Sequence, residues 1–245
     1  MKKDDIMFSK VRRYDMKETD LKVKLLDYTP NPEKHIYVAA RLCYSNKDIE
    51  EITENVQEEE IKKLLNFLIK AGHHSALEHV SFTFGIEGVS RALTHQLVRH
   101  RLASYNQVSQ RYTTIDKDTP FIIPPSIKEN KEIFEKFKDM VDRQSEFYTY
   151  MLEKGIDKED ARYIIGQGVE TKIIVTMNAR ELRHFFNHRC CRRAQWEIQS
   201  LANEMLSLAQ EIAPILFFDA GAPCVSKNCP EGKMSCGNPF PKKVM

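Results

Sequence analysis

The chain has 245 residues, of which 42% are hydrophobic and 29% charged, and its formal net charge is +2. This composition is typical of a globular protein and excludes a fibrous or wholly disordered chain. The near-neutral charge gives no overall electrostatic footprint for nucleic acid, and no run approaches the roughly 18 apolar residues of a membrane span.

Hydrophobic periodicity predicts strands and helices in the first part of the chain. Residues 21–28 and 80–86 alternate apolar with polar side chains, which predicts half-buried strands. Apolar residues at helical spacing predict helices over residues 33–44 and 58–71, and Gly72 provides a stop for the second.

A third helix is expected to begin after Ser90, an N-cap residue type, and to run to about His100. Leu97 would face the core, whereas Arg99 would point outward. Residues 102–114 are expected to form a loop with a short extended piece.

The second half of the chain predicts long helices and one further strand. Residues 126–155 are amphipathic and predict two helices or one bent helix. Residues 170–177 are rich in Ile, Val and Thr, which predicts a buried strand. Apolar residues spaced three and four apart predict a helix over about residues 193–213, with its apolar stripe in the core or at a subunit seam.

Together these elements predict a mixed α/β fold of the α+β class, a single domain over residues 1–245 with a central sheet flanked by long helices. Residues 1–20 are expected to form an N-terminal extension, and residues 221–245 a cysteine-containing tail. A Rossmann site is not supported, because Thr171 occupies the place of the third glycine after Gly166-Gln167-Gly168.

Two windows concentrate positive charge in the nearly neutral chain. Residues 88–115 contain four arginines and no acidic residue, and residues 180–193 contain five arginines against the single acid Glu181. Because guanidinium groups match phosphate with paired donors, these windows predict focused recognition of anionic ligands. The first window also holds the pattern RHRxxSxNxxSxR, whose specified positions are Arg99, His100, Arg101, Ser104, Asn106, Ser109 and Arg111.

This pattern resembles the signature of the flavin-dependent thymidylate synthases, and the resemblance covers about residues 20–220. Similar segments of that family match GHHSALEHVSFTF at residues 72–84, NAREL at residues 178–182 and AQWEI at residues 194–198. The resemblance implies reductive methylation of dUMP to dTMP by a homotetramer. It also implies FAD as cofactor, NADPH as the reductant that reloads the flavin, and methylenetetrahydrofolate as carbon donor.

The resemblance further implies roles for individual residues. Those expected to contact dUMP are Gln96, Arg99, Gln107, Ser109, Arg111, Arg162 and Arg189. Those expected to contact FAD are Ser75, Arg99, His100, Arg101, Gln107, Asn178, Arg180 and His184. His73 is expected beside flavin and folate. The sequence departs from the family pattern at Ile165-Gly166, His184 and Arg193.

Arg189 is expected to be the catalytic residue. A guanidinium stays charged at any working pH, so at the uracil N3/O4 edge it would favour the N3-deprotonated ring and increase electron density at C5. C5 then attacks the methylene carbon without a cysteine nucleophile. Cys190 and Cys191 follow directly, but no positioned general base beside them can be identified from the sequence.

Two other functions fit parts of the same sequence. One is a metal-dependent nucleotide hydrolase that uses the imidazole and carboxylate groups of His73, His74, Glu78 and His79. The other is an RNA-binding module that uses both basic windows on phosphates and stacks bases on Tyr105 or Tyr112. Neither a metal, nor nucleic acid, nor a membrane is the expected partner.

The six cysteines are expected to be reduced thiols, because the first twenty residues contain no apolar stretch of the kind that a secretory signal needs. A cytoplasmic location follows. The tail contains C-x4-C-x6-C at Cys224, Cys229 and Cys236. No metal is expected there, since thiolate sites usually need a fourth ligand and tighter pairing, although another subunit could complete one.

Overall fold

The computed structural model describes residues 16–54, 56–116 and 118–243. Their contacts group into two units that are interleaved along the chain. Among the described residues, unit 1 contains 16–20, 88–92 and 107–172, and unit 2 contains 21–87, 93–106 and 173–243. Most of the predicted N-terminal extension lies outside the described residues, and the single domain stays a prediction.

Most residues of one four-stranded sheet, with strand order β1-β2-β4-β3, belong to unit 2. The strands are β1 (Lys22–Tyr28), β2 (Ser81–Ser90), β3 (Ala103–Gln107) and β4 (Glu170–Asn178). Strand β1 pairs antiparallel with β2, and the register shifts between Leu25 and Asp27. The strands predicted over residues 21–28 and 80–86 are confirmed.

Strand β4 differs from its prediction in burial. The sequence predicts a buried strand, but burial alternates, with Ile173 and Val175 buried and Lys172 and Ile174 exposed. Only one face of β4 is therefore covered, as the period of two along a strand allows.

Along the chain, helices separate the four strands and follow the last one, which confirms a mixed α/β architecture. In chain order they are α1 (Pro32–Leu42), α2 (Ile49–Thr53), α3 (Glu58–Ala71), α4 (Arg91–Leu97), α5 (Pro125–Lys128), α6 (Lys131–Glu153), α7 (Lys158–Ala161), α8 (Ala179–Arg189), α9 (Trp196–Ile212) and α10 (Pro223–Ser226). Short 3-10 helices lie at Ser75–His79, Arg162–Ile164 and Gly232–Met234. Among the described residues, no helix is long and apolar enough to cross a membrane.

The core of unit 2 lies where α9 packs against β1 and α8. Ile198, Leu201 and Met205 of the predicted stripe on α9 are buried, so the stripe belongs to the core. The Phe217 ring contacts the rings of Phe82 and Phe186 at centroid distances of 5.5 and 5.9 Å. These contacts anchor α8, which carries many of the predicted site residues.

Unit 1 is built around α6, a helix of 23 residues. Its buried Val141 and Tyr148 pack with Phe121 and Val169 in one apolar cluster. The Tyr148 hydroxyl also accepts a hydrogen bond from the backbone N–H of Ile115 at 3.4 Å. The two helices predicted within residues 126–155 are confirmed as α5 and α6.

Helix α3 begins and ends where the sequence predicts. Gly72 follows it with φ of 78°, and its N–H donates to the carbonyl of Ile69. This left-handed conformation is favourable for glycine because it has no Cβ.

Replacing Gly72 by alanine should lower the free energy of unfolding by about 1–2 kcal/mol, because a Cβ is unfavourable in the left-handed region. Apart from Gly72 and its chain neighbours, no heavy atom of the described residues lies within 4 Å of the Cβ position, so the effect comes from the backbone alone. Gly72→Asn is the matched control, since asparagine tolerates this region better and should cost less. Urea unfolding measures both, and equal stability of Gly72→Ala and the parent would contradict the explanation.

Candidate active site

The signature pattern begins where α4 ends. The sequence predicts a helix to about His100, but α4 stops at Leu97, and the N–H of His100 donates back to the carbonyl of Leu97 at 3.1 Å. The Tyr105 hydroxyl lies 2.9 Å from the carbonyl oxygen of Leu97 and 2.8 Å from that of His100. Burial raises the pKa of Tyr105, so its hydroxyl remains a donor to these carbonyls. The Tyr105 hydroxyl thus provides a partner for the carbonyl of Leu97, the last residue of α4.

This turn directs His100 into the protein. Only 6% of His100 is exposed, and its Nδ1 lies 3.0 Å from Oε1 of the equally buried Glu181. Burial lowers the pKa of His100, while the hydrogen bond to Glu181 raises it less strongly. The imidazole is therefore neutral near pH 7, with the proton on Nδ1, where it is donated to the carboxylate. The outward direction predicted for Arg99 is confirmed, because Arg99 is exposed, whereas the next residue, His100, is buried.

Glu181 reaches His100 from the first turn of α8. Asn178 is the N-cap of this helix, and its side-chain oxygen accepts a hydrogen bond from the N–H of Glu181 at 2.9 Å. An acidic residue in the first turn also complements the helix dipole. The N-cap and the first turn of α8 therefore position Glu181 so that its carboxylate can reach the imidazole of His100.

Arg189, in the last turn of α8, is hydrogen-bonded to His100 and so extends the buried pair of Glu181 and His100 toward the surface. Its Nε donates to Nε2 of His100 at 3.2 Å, and its Nη2 donates to the carbonyl of Gln96 at 3.5 Å. Burial, and then the charge of Arg99, lower the pKa of Arg189. Its Nη1 is not hydrogen-bonded to any described residue, so this corner of an oriented guanidinium can donate to a ligand.

The other flavin contacts predicted in unit 2 are placed in different environments. Ser75, Arg101 and His184 are exposed, so their donors are accessible. Arg180 instead forms an ion pair with Glu78 at 2.5 Å. His184 lies beside the buried imidazole, with its ring centroid 5.7 Å from that of His100.

His73, expected beside flavin and folate, is also exposed, and its ring centroid lies 6.0 Å from that of Phe67. A tilted pair of rings at this distance leaves an imidazole face open to a flat ligand.

One group of described residues, formed by His100, Glu181 and His184, brings three potential metal-ligand atoms within 4.8 Å of one another. Both ring nitrogens of His100 are already hydrogen-bonded, one of them to the cationic Arg189. A neighbouring guanidinium disfavours a second cation, so we interpret this group as a hydrogen-bond network.

The histidine cluster that suggested a hydrolase is arranged differently. Glu78 pairs with Arg180, and the His74 ring lies 3.5 Å from the carbonyl of Ile69. Both residues therefore have protein partners, which gives no support to a metal site there.

Two of the dUMP contacts predicted in unit 1, Arg111 and Arg162, contact an acidic residue, Glu159. Nε of Arg111 lies 2.6 Å from its carboxylate, and Nε of Arg162 donates to its backbone carbonyl at 3.0 Å. Arg162 is also close enough to Arg91 for its charge to lower the pKa of Arg91, after the larger effect of burial. Ser109 shares this region, since its hydroxyl accepts a hydrogen bond from the N–H of Arg111 at 3.3 Å.

Gln107 is partly buried beside β4, and its Nε2 donates to the hydroxyl of Thr171 at 3.2 Å. This hydrogen bond fixes the orientation of the amide beside Thr171.

Four residues hold the predicted ones in place in roles that the sequence did not indicate, namely Tyr105, Glu159, Glu78 and Glu181. One signal could have identified Glu181, because it is the only acid in the second basic window. An isolated acid among five arginines indicates a specific partner rather than a solvated face.

The imidazole of His100 should titrate below its ordinary value of 6.5, because burial penalises its charged form. In Glu181→Gln it should titrate lower still, since the carboxylate raises its pKa. NMR of histidine-labelled protein, with His100→Gln to assign the signal, measures both values. A Glu181→Gln pKa equal to or above that of the parent would contradict the pairing.

The lowered pKa of His100 also determines how this residue changes the free energy of unfolding with pH. Unfolded His100 takes up its proton near pH 6.5, whereas the buried ring does so only at lower pH. This contribution is therefore fully present above about pH 6.5 and decreases as the pH falls from there through the folded pKa.

Comparison with known proteins identifies the family. The sequence model of "Thymidylate synthase complementing protein" matches residues 24–215. A "Flavin-dependent thymidylate synthase" of Clostridium tetani is 51% identical over 90% of this chain and 95% of its own length. One of Geobacter sulfurreducens is 49% identical over 89% of this chain and 94% of its own.

A solved structure agrees with the fold. The UMP/dUMP methylase PolB from Streptomyces cacaoi, bound with 5-Br dUMP, superposes with a TM-score of 0.75 at 23% identity, over 82% of this chain and 94% of its own. The predicted fold and the family resemblance are confirmed. The chain belongs to the thymidylate synthase complementing protein family.

Proposed function

We propose that this chain is a flavin-dependent thymidylate synthase that methylates dUMP to dTMP. Methylenetetrahydrofolate is the carbon donor, FAD the cofactor and NADPH the reductant. The observation that carries the proposal is the guanidinium of Arg189, which a neutral imidazole orients without neutralising its charge. The names of the relatives from Clostridium tetani and Geobacter sulfurreducens support the same activity.

Arg189 acts on the uracil ring. Its Nη1 donates to O4 and N3 of the ring, so that the positive charge stabilises the N3-deprotonated form. Electron density then increases at C5, which attacks the methylene carbon. The new carbon–carbon bond forms as carbon–nitrogen bonding of the folate breaks with its electron pair going to nitrogen, and C5 loses its proton as tetrahydrofolate leaves. Because His100 accepts from Nε rather than carrying a negative charge, the full charge of Arg189 is available to the ring.

A thiol nucleophile is not required. Cys190 is buried, and burial raises the pKa of its thiol to about 12, so almost none of it is thiolate at neutral pH. Cys191 is partly exposed but follows the end of α8, after the turn that orients Arg189.

The residues of unit 2 suit a flavin. Exposed donors from Ser75, Arg99 and Arg101 fit the phosphates and ring edge of FAD, and the His184 imidazole offers a stacking face. When bound, FAD supplies the reducing equivalents that complete the methyl group. On binding of FAD, Arg180 would lose its ion pair with Glu78 and contact the cofactor instead, because an exposed ion pair contributes little to stability.

The arginine group of unit 1 suits a phosphate. Arg111 contacts the side-chain carboxylate of Glu159, and Arg162 contacts its backbone carbonyl. The Ser109 hydroxyl lies next to Arg111. A phosphate would replace the exposed carboxylate of Glu159 as the partner of Arg111 and gain bidentate hydrogen bonds. A cytoplasmic homotetramer completes the proposal.

The direct test is anaerobic incubation of the purified chain with dUMP, methylenetetrahydrofolate, NADPH and FAD, followed by chromatographic detection of dTMP. Formation of dTMP only when all four components are present is the expected result. Absence of dTMP from a folded, flavin-loaded protein would reject the proposal. Chelator-sensitive nucleotide hydrolysis or salt-dependent RNA binding would instead favour one of the two alternative functions.

Replacing Arg189 by alanine should lower kcat by about 100- to 1000-fold, because it removes a donor that acts on developing charge. Arg189→Lys keeps the charge and should retain more activity, although lysine cannot donate to His100 and the ring in the same geometry. Steady-state kinetics with matched thermal unfolding separates catalysis from folding. Parent-like kcat in Arg189→Ala would remove its catalytic role.

Replacing Arg111 by alanine should raise the KM for dUMP by about 10- to 100-fold, the effect of losing a charge-assisted hydrogen bond. Arg143→Ala is the matched control, because Arg143 also pairs with an acid, Asp139, but along one face of α6. The control should keep the parent KM. Equal KM values in Arg111→Ala and Arg143→Ala would show that Arg111 does not bind the nucleotide.

A further inference from the structure

A cavity of about 480 Å³ in unit 2 is lined by four cysteines from separate parts of the sequence. Cys191 follows the end of α8, Cys224 lies in α10, and Cys229 and Cys236 belong to the exposed tail. The tail alone supplies only three thiols. The fold brings the fourth, Cys191, to the same cavity.

The tail segment over residues 227–243 cannot be held by apolar burial. Phe240 is the only residue of this segment that is not exposed, and the regular structure of the segment is limited to the short helix at Gly232–Met234. Its contacts with unit 2 include an exposed ion pair from Glu231 to Arg193 at 2.5 Å and the stacking of Arg192 on Phe240 at 4.2 Å. Such surface contacts contribute little, and segments without a core commonly need a metal or a disulfide.

We propose that Cys191, Cys224, Cys229 and Cys236 bind a zinc-class metal ion. Four thiolates form a closed tetrahedral set, as in structural zinc sites, and bind soft divalent ions in preference to magnesium or calcium. The thiols release their protons when the metal–sulfur bonds form, without any change in oxidation state.

The charges around the cavity favour this assignment. Four thiolates around a divalent cation leave a net negative charge, and Arg192 and Arg193 line the same cavity. Guanidinium groups near a thiolate stabilise its deprotonated form. Cys190 is excluded from the site because it is buried and does not line the cavity.

Binding requires the tail to move so that the four thiols approach one another. Within the described part of the chain, the only group of three potential ligand atoms within 4.8 Å is His100, Glu181 and His184, so the four thiols lie further apart. Because residues 227–243 are exposed and weakly packed, they can move without disrupting the core. The metal then cross-links α8 to the tail.

Metal analysis of the full chain tests the site independently of enzyme activity. Protein purified without chelator should contain about one zinc ion per chain, and cobalt substitution should give the intense near-ultraviolet absorption of thiolate-to-cobalt charge transfer. Cys229→Ser and Cys236→Ser should lower the zinc content at least tenfold. Cys43→Ser is the matched control, because Cys43 is a free exposed thiol that does not line the cavity, and it should keep the parent content.

Alkylation followed by mass spectrometry gives a second readout if a variant fails to fold. Zinc should protect the four cavity cysteines of the parent protein, and a chelator should expose them, whereas Cys43 reacts in both conditions. Absence of zinc and of the cobalt spectrum would overturn the proposal. Disulfides found under non-reducing conditions, or zinc loss in Cys43→Ser, would overturn it as well.

Discussion

The hydrogen bond between His100 and Glu181 is the contact on which the remaining site geometry depends. A carboxylate with little solvent exposure is costly unless it is hydrogen-bonded, and the imidazole supplies that hydrogen bond at 3.0 Å. The bond also fixes the proton on Nδ1, which leaves Nε2 as an acceptor. Only a donor can satisfy this nitrogen, and Arg189 is that donor. The buried core thus orients a partly exposed guanidinium through one neutral ring.

The structure holds its arginines in two chemically different ways. Arg111 pairs with the exposed carboxylate of Glu159, and Arg180 pairs with that of Glu78. Because water competes for these charged groups, each ion pair contributes little to stability. An anionic ligand can replace such a carboxylate with modest loss. Arg189 is held instead by a neutral imidazole and a backbone carbonyl, so its charge is oriented but uncompensated. This difference separates groups suited to bind a phosphate from the group suited to polarise a ring.

Local patterns predicted the secondary structure well, because the periodicity of apolar residues and the position of Gly72 are sufficient for α3 and α9. They gave no indication that His100 is buried, because it lies within a run of cationic residues. Its burial depends on Glu181, 81 positions away, and on the Tyr105 hydroxyl that closes the turn. Pairings of this kind arise only when the strands and α8 are assembled, so no local window contains them.

The adjacent residues Cys190 and Cys191 show how the end of α8 separates two kinds of thiol chemistry. Consecutive side chains on a helix end point in different directions, so the first thiol is buried in the core and the second faces the cavity. Burial raises the pKa of Cys190 to about 12, which makes it an inert structural group. Cys191 lines the cavity with three other cysteines, where it can serve as the fourth ligand of the proposed metal site. Neither thiol is positioned as a nucleophile, which agrees with the proposed role of Arg189 in polarising the uracil ring.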